Sequence, residues 1–480
     1  MPAMSEIPRP NATLLESHAM KSTLFALSLS LLVVASPCSG LNAAEKQPPN
    51  IVLLVSDDQR FDTLGCMGNE IIQTPHIDAL AAEGTLFRNA FCTTSICATS
   101  RATILNGQYA RRHGIWSFRQ MLSAEEFANS FPMQLKEHDY HLGFIGKWGV
   151  GGGNTMPADK YDYWRGFAGQ GQYFVKGRAH MTRFLGDQTQ EFFDDYQAKD
   201  TSAKKPFCLH VAFKAAHCQD GDGWQFRHAE KYKDLYAEVT IPPQPTATDK
   251  HYAALPKPLQ ESEGRVRWHR RFDGEEMYQK NIKDYYRLLT GVDEIVGEIV
   301  ARLKKDGQYD NTVIIYTSDH GFYLGDRGLA GKWFMHEESI RMPLVIFDPR
   351  VEKTQRGKSR EELALLVDIA PTILDLAGIE LPQSMQGSSL APLTAGKSPT
   401  WRDDFLYEHL FKHGRIPMND GVRGMRWKYC RYYFGDDLHE ELYDLRADPL
   451  EEKNVASDEK YRETLDQYRA RYRELVYANK

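Results

Sequence analysis

Four apolar runs of this sequence end in ionisable residues. Asp57 and Asp58 follow IVLLVS, Lys147 follows LGFIG, His217 follows CLHVAFKAA, and Asp319 and His320 follow VIIYTS. Asp57, Asp58 and Asp319 with His320 make an oxygen-rich donor set, which suits a hard divalent cation, calcium ahead of magnesium, better than a thiolate-selected metal. Neighbouring acids at 57 and 58 repel in a low-dielectric cleft unless a cation neutralises them. The competing reading is that one of the pair caps the next helix. Arg101, Lys147 and Lys332 add positive charge. Cations beside a metal imply an anionic substrate, a phosphate or a sulfate ester. Cys97 stands four residues before Arg101 in SICATSRATILNGQYARRHG, and is either a buried packing residue or a nucleophile.

Such residues need a scaffold that brings them together. The runs NIVLLVSDD (50–58), YHLGFIGKWG (140–149), PFCLHVAFKAAH (206–217), TVIIYTSDHG (312–321) and MPLVIFDP (342–349) read as buried strands. Between them HIDALAAEGTLF (76–87), YRLLTGVDEIVGEIVARLKKDG (286–307) and LALLVDIAPTILDLAGI (363–379) have helical spacing. Alternating strands and helices predict an α/β fold, a mostly parallel sheet covered on both faces. Ligands of such sheets bind beyond the carboxyl ends of the strands, where the ionisable residues fall. From about residue 396 short strands and a closing amphipathic helix predict a small antiparallel sheet, dividing the chain into a main domain, 45–395, and a C-terminal α+β subdomain, 396–480. The Pro-rich, charged stretch 241–275 reads as a surface excursion. The segments 155–200 and 218–275 read as loops that carry specificity.

The chain has 480 residues, 42% hydrophobic and 26% charged, with a net charge of −6 and no polybasic tract; nucleic acid is not a predicted partner. Lys21 precedes the apolar run Thr23–Ala35, and small residues follow near Gly40 and Ala44. That run is shorter than the roughly 20 residues a bilayer-spanning helix needs. Residues 1–44 therefore read as an export signal, which predicts a periplasmic or extracellular protein without a stable membrane span. Cysteines at 38, 66, 92, 97, 208, 218 and 430 show neither a disulfide framework nor zinc-ligand spacing.

The motifs PNIVLLVSDDQR, TPHIDALAAEGTLFRNAF, CATSRATILNGQYARRHG, GFIGKWG, TVIIYTSDHG, GKWFMHEESIRMPLVI, VDIAPTILDLAGI and ELYDLRADPLEEKNVA occur in this order between Pro48 and Asn454. Together they resemble the formylglycine-dependent sulfatases, whose fold is alkaline-phosphatase-like. The resemblance implies a large mixed, mostly parallel sheet between helices, with the small C-terminal sheet beside it. It implies that Cys97 is oxidised to formylglycine by a maturation enzyme. One hydroxyl of the hydrated aldehyde attacks sulfur, and the other lets the aldehyde re-form and expel sulfate. It further implies Asp57, Asp58, Cys97, Asp319 and His320 as the metal shell and Arg101 on the formylglycine hydroxyl. Lys147 and Lys332 would hold the sulfate oxygens, and His217 would serve the leaving alcohol. A sulfated carbohydrate is the expected substrate.

Departures from the family pattern bear on these expectations. Thr99 stands where the maturation signal usually has proline, Gly149 stands where many members have histidine, and Asn106 and His76 are milder changes. GVGGGN (149–154) lacks the ending of a phosphate loop. Two other readings follow: a phosphomonoester or phosphonate hydrolase of the same fold, or, with Cys97 unconverted, a glycan-binding pseudoenzyme. The segment FKHGRIPMNDGVRGMRWKYCRYY (411–433) could wall a sugar ring or merely pack the small sheet.

Overall fold

NIVLLVS forms strand β1 (Asn50–Ser56), buried at every position, as an unbroken apolar run requires of a central strand covered on both faces. The computed structural model describes residues 47–199 and 205–479. The predicted signal, residues 1–44 with Cys38, lies outside them. In the same sheet as β1 lie β2 (Thr85–Phe87), β3 (His141–Lys147), β4 (Tyr163–Phe167), β5 (Phe207–Ala212), β6 (Thr312–Ser318), β7 (Leu344–Phe347) and β8 (Lys358–Arg360). Their order is β8-β2-β7-β6-β1-β5-β3-β4. The adjacent strands β6, β1, β5 and β3 are mutually parallel, so the four runs that end in ionisable residues deliver them to one edge. β7 runs antiparallel to β6 and β2 and makes the sheet mixed.

The longer helices, of eight residues or more, are α1 (Pro75–Glu83), α2 (Cys97–Asn106), α3 (Met181–Ala198), α4 (Glu263–Arg271), α5 (Glu275–Lys305), α6 (Ile369–Leu376) and α7 (Arg462–Ala478). Val52 and Leu54 of β1 share a core with α1, α3 and α5, whereas Ile51, Leu53 and Val55 share one with α2 and α6. Along α5 the buried Tyr278, Ile282, Tyr285, Leu289, Val292, Val296, Ile299 and Leu303 recur at steps of three and four, one helical stripe. Fully burying a side chain of this kind stabilises by about 1.5–3 kcal/mol. A charged residue at Ile282 or Val296 would forfeit that burial and destabilise the packing of the helix on the sheet.

Strands β9 (Asp404–His409), β10 (Met418–Gly424), β11 (Trp427–Phe434) and β12 (Asp437–Asp444) form a consecutive antiparallel sheet. Phe405, Tyr407 and Val422 belong to the same core as α2 and α6, and α7 closes the sheet by burying Leu465 and Tyr472.

Several sequence boundaries move. The predicted helix 76–87 stops at Glu83, because a side chain at Gly84 would lie 2.5 Å from the Ile346 carbonyl oxygen, and TLF enters the sheet as β2. α5 begins at Glu275 rather than Tyr286. LALLVDIAPTILDLAGI splits, Ala364 and Leu365 pairing with Ala90 and Phe91 before α6 begins. The segment 155–200 is not one loop but carries β4 and α3. The stretch 241–275 is not a surface excursion: α4 lies in it, its polar residues are partly turned inward, and Glu263 and Arg267 reach the site described below. Cys66, Cys92, Cys97, Cys208, Cys218 and Cys430 are free thiols. Among the described residues no helix is long and apolar enough to cross a membrane.

Candidate active site

Each site residue is held by the end of a regular element. Asp57 and Asp58 leave β1, where Asp58 takes a left-handed backbone (φ 60°). Its N–H donates to Asp319 Oδ1 at 3.2 Å and its carbonyl accepts from the Tyr285 hydroxyl at 2.7 Å. Asp319 and His320 leave β6, Lys147 is the last residue of β3, and His217 lies on the turn beyond β5. Cys97 is the first residue of α2 and Arg101 follows one turn later, so the positive end of the helix faces the acids. Lys332 follows a short hairpin that pairs Tyr323–Leu324 with Ala330–Gly331.

Asp57, Asp58, Cys97 and His320 each offer a donor atom to a group whose members lie within 4.8 Å of one another. Asp319 stands beside it, its Oδ1 3.4 Å from His320 Nε2. Cys97 Sγ is 3.5 Å from Asp57 Oδ1 and 3.4 Å from both His320 Nε2 and Lys332 Nζ. Lys332 also donates to Asp58, and Lys147 to Asp57 and, at 2.6 Å, to Gln170 Oε1. His217 Nδ1 lies 2.6 Å from the Cys218 carbonyl oxygen, leaving Nε2 3.6 Å from Asp58 Oδ2. Arg101 reaches past the sulfur to Asp319 Oδ2 (3.1 Å), Asp57 Oδ2 (3.2 Å) and the Lys147 carbonyl (2.8 Å). All nine residues named from the sequence converge here.

Burial raises the Asp57 carboxyl, but Lys147, His217, Arg101 and Lys332 outweigh it and hold the group well below the usual range. Burial wins at Asp58, against Lys332 and His320 and with repulsion from Asp57 and Asp319, and raises it. Burial, and then the Asp57 carboxylate, push the Cys97 thiol up to about 12. An unmodified Cys97 is thus a protonated thiol at neutral pH and a poor nucleophile. Burial, and then Lys332, hold His217 well below the ordinary imidazole value.

A cavity of about 260 Å³ opens over Cys97, walled by Gln170, His217, Lys332 and Trp333. A family description, "Sulfatase", matches residues 49–379, and "N-sulphoglucosamine sulphohydrolase, C-terminal" matches residues 325–477. The chain belongs to the sulfatase family. It is a sulfuric ester hydrolase. The chain is 28% identical to the N-acetylglucosamine-6-O-sulfatase of Bacteroides thetaiotaomicron, over 96% of this chain and 93% of that protein. A solved structure in complex with its substrate D-glucosamine-2-N,6-O-disulfate superposes with a TM-score of 0.79 and 25% identity, covering 90% of this chain and 98% of that one. The phosphonate monoester hydrolase of Agrobacterium radiobacter shares the fold, with a TM-score of 0.74 and 23% identity over 90% of this chain and 96% of that one.

The sulfatase departs from its family pattern at positions whose surroundings are now visible. Gly149 has φ 78°, and a side chain there would begin 2.5 Å from Arg101 Cδ, so Arg101 fills the space that a larger residue would need. Thr99 is the third residue of α2 and fully buried. In this first turn the N–H has no intrahelical partner, so exchanging proline for threonine leaves the helix intact.

Other cavity residues were not singled out in the sequence, although Gln170, Asp220, Glu263 and Arg267 fall in the segments expected to carry specificity and Phe411 opens the segment that could wall a sugar ring. Gln170 and Asp220 lie on irregular segments, Glu263 and Arg267 on α4, and Phe118 and Phe411 on connections; none belongs to a motif. Tyr407 was also missed. Its hydroxyl accepts from the Ser95 N–H at 3.3 Å and donates to the Trp333 carbonyl at 2.9 Å, tying the approach to Cys97 to the residue after Lys332. Trp333 holds a left-handed φ of 88°, a conformation costing about 1–3 kcal/mol unless its surroundings fix it. Asn419 Nδ2 donates to the same carbonyl at 3.0 Å.

Proposed function

We propose that this sulfatase is exported and hydrolyses sulfate esters of carbohydrates, using a formylglycine made from Cys97 and a calcium ion held by Asp57, Asp58, Asp319 and His320. The observation that carries this reading is the buried Asp57, Asp58, Cys97 and His320 group within 4.8 Å, flanked by Lys147 and Lys332 at the floor of a cavity. The donor set fits the group it implies. Three carboxylates and an imidazole suit calcium, whereas the sulfur of Cys97 does not; oxidation replaces that sulfur with oxygen. The raised Asp58 carboxyl, repelled by Asp57 and Asp319, is the kind of acid that a divalent cation returns to its charged form.

When bound, the cation supplies positive charge against the sulfate oxygens, and the oxidised Cys97 supplies the nucleophile. The rest falls to side chains of this chain. Lys147 and Lys332 exchange part of their hold on Asp57 and Asp58 for the arriving sulfate. Arg101 fixes the Asp57 and Asp319 carboxylates and, through the Lys147 carbonyl, the end of β3. His217, with Nδ1 pinned by the Cys218 carbonyl, presents Nε2 to the leaving alcohol oxygen. General acid help of this kind is worth about 10²–10⁴-fold.

The carbohydrate substrate is supported by the N-acetylglucosamine-6-O-sulfatase likeness and by the neighbour bound to a sulfated glucosamine. The test is sulfate release from a panel of sulfated sugars, led by sulfated glucosamines, with aryl sulfates and phosphate esters beside them. Protein co-expressed with a maturation enzyme should release sulfate from a sugar and little phosphate. Phosphate release that survives Cys97→Ser favours the phosphatase reading. Tight binding of a sulfated glycan without sulfate release, with Cys97 still a thiol after co-expression, favours the pseudoenzyme.

A further inference from the structure

The cavity over Cys97 does not end at its own rim. It shares His413 and Ile416 with a second cavity of about 760 Å³, bounded on the other side by Tyr433 and Phe434. The inner space is just under the roughly 300–1,000 Å³ of typical ligand pockets; the two together exceed the needs of one sugar ring. We propose, resting on the carbohydrate reading above, that the outer cavity is a subsite for a second acidic group, so that the substrate is an acidic oligosaccharide and not a free monosaccharide.

The connection between β9 and β10 carries the chemistry. A bridge between His413 and Ile416, with the Ile416 N–H donating to the His413 carbonyl at 3.2 Å, closes a tight turn. That turn presents Lys412, His413 and Arg415 to the outer cavity. Lys412 is exposed and has no hydrogen-bond or ion-pair partner among the described residues. His413 Nδ1 accepts from the Arg415 N–H at 3.2 Å, so the ring proton of the neutral imidazole sits on Nε2, a free donor. Its ring stacks on Phe411 with centroids 6.0 Å apart. Arg415 donates to Glu263 Oε2 at 2.6 Å, and Glu263 accepts from Arg267 Nε at 3.1 Å. One carboxylate thereby locks an outer and an inner arginine, and the Arg415 side chain still has 56% of its surface exposed.

Glu261 is the acid lining the outer cavity, and Lys257 lies 3.6 Å from it. Arg415 is thus paired with Glu263, and among the described residues Lys412 is the cation of the turn left without an acid to balance it. Aromatic faces at Phe411, Tyr433 and Phe434 offer apolar surface to sugar rings. The unpaired Lys412 beside them, with the exposed face of Arg415, selects a carboxylate or a second sulfate on the adjoining sugar. The segment 411–433 thus walls the substrate as well as packing the small sheet.

The test compares kcat/KM of matured enzyme on a sulfated glucosamine monosaccharide and on a disaccharide joining the same sulfated glucosamine to a uronic acid. Wild type should prefer the disaccharide, and raising the salt should erode the preference. Exposed ion pairs are worth about 0.2–1 kcal/mol and reversal also adds repulsion, so Lys412→Glu should cut the preference about 5-fold, with Lys412→Arg restoring it. An equal preference in wild type and Lys412→Glu, or no preference in wild type, overturns the subsite while leaving the sulfatase reading standing. Hydrolysis of aryl sulfates but of neither sugar overturns the carbohydrate reading, and the subsite with it.

Discussion

Replacing Tyr407 with phenylalanine removes one oxygen atom from the floor beneath the site. That oxygen joins the Ser95 N–H, two residues before Cys97, to the carbonyl of Trp333, next to Lys332. Ser95 is fully buried, so its N–H loses its acceptor without gaining water, a cost of about 1–3 kcal/mol. The Trp333 carbonyl keeps the Asn419 donor and adds little. The expected stability loss is therefore about 2 kcal/mol, read as a lower denaturant midpoint at unchanged slope. Catalysis should suffer more. Lys332 Nζ and Cys97 Sγ are set 3.4 Å apart across this tie, and misplacement of reacting groups by about 1 Å can cost 10²-fold. In protein with the same degree of Cys97 conversion as wild type, kcat for sulfate release should fall about 10–100-fold. A Tyr407→Phe enzyme within 2-fold of wild type would refute the claim that the C-terminal sheet positions Lys332 against the nucleophile.

Chelation should abolish sulfate release and calcium should restore it; full activity after exhaustive chelation counts against the Asp57, Asp58, Asp319 and His320 site. Gly149→His, which introduces the family's usual residue, should lower activity, because the new side chain meets Arg101 Cδ and must take a left-handed backbone that costs about 1–2 kcal/mol; assay and thermal melt check both. Burial holds His113 and His210 at about 3 and His180 at about 4, against about 6.5 in an unfolded chain. The unfolded state then binds more protons, so stability is full above about pH 6.5 and declines as pH falls towards 4, which circular dichroism will follow. In unconverted protein Cys97 is 1% exposed and should resist alkylation until the chain unfolds, whereas the part-exposed Cys66 reacts first. For the same reason a maturation enzyme should convert the unfolded segment and not the folded protein.

The sheet was legible because its strands are buried on both faces. NIVLLVS, LGFIGK and TVIIYTS read as buried strands of a parallel sheet, and their ends located the ionisable residues. What escaped was built from polar sequence. α4 is almost wholly polar and sits in a Pro-rich, charged stretch, and although Glu263 and Arg267 stand at helical i,i+4 spacing, nothing in that spacing says that the pair lies beside the cavity. β4 holds only five residues at the sheet edge, too short and too mixed to stand out. Tyr407 looks like any strand aromatic, and its role depends on a hydroxyl reaching two segments far away in the chain. Arg101 illustrates the remaining gap: the resemblance named it for the formylglycine hydroxyl, and its hydrogen bonds to Asp57, Asp319 and the Lys147 carbonyl, which join three strand ends, could not be read from the sequence.

The measurement that bears most directly on the central claim is mass spectrometry of the peptide containing Cys97, taken from protein that has been co-expressed with a maturation enzyme and assayed for sulfate release. The account predicts a peptide in which the thiol has become an aldehyde, SH₂ exchanged for one oxygen, with sulfate release rising in proportion to its fraction. A preparation that releases sulfate with Cys97 wholly in the thiol form, or one that is fully converted and releases none from any sulfate ester, would contradict it.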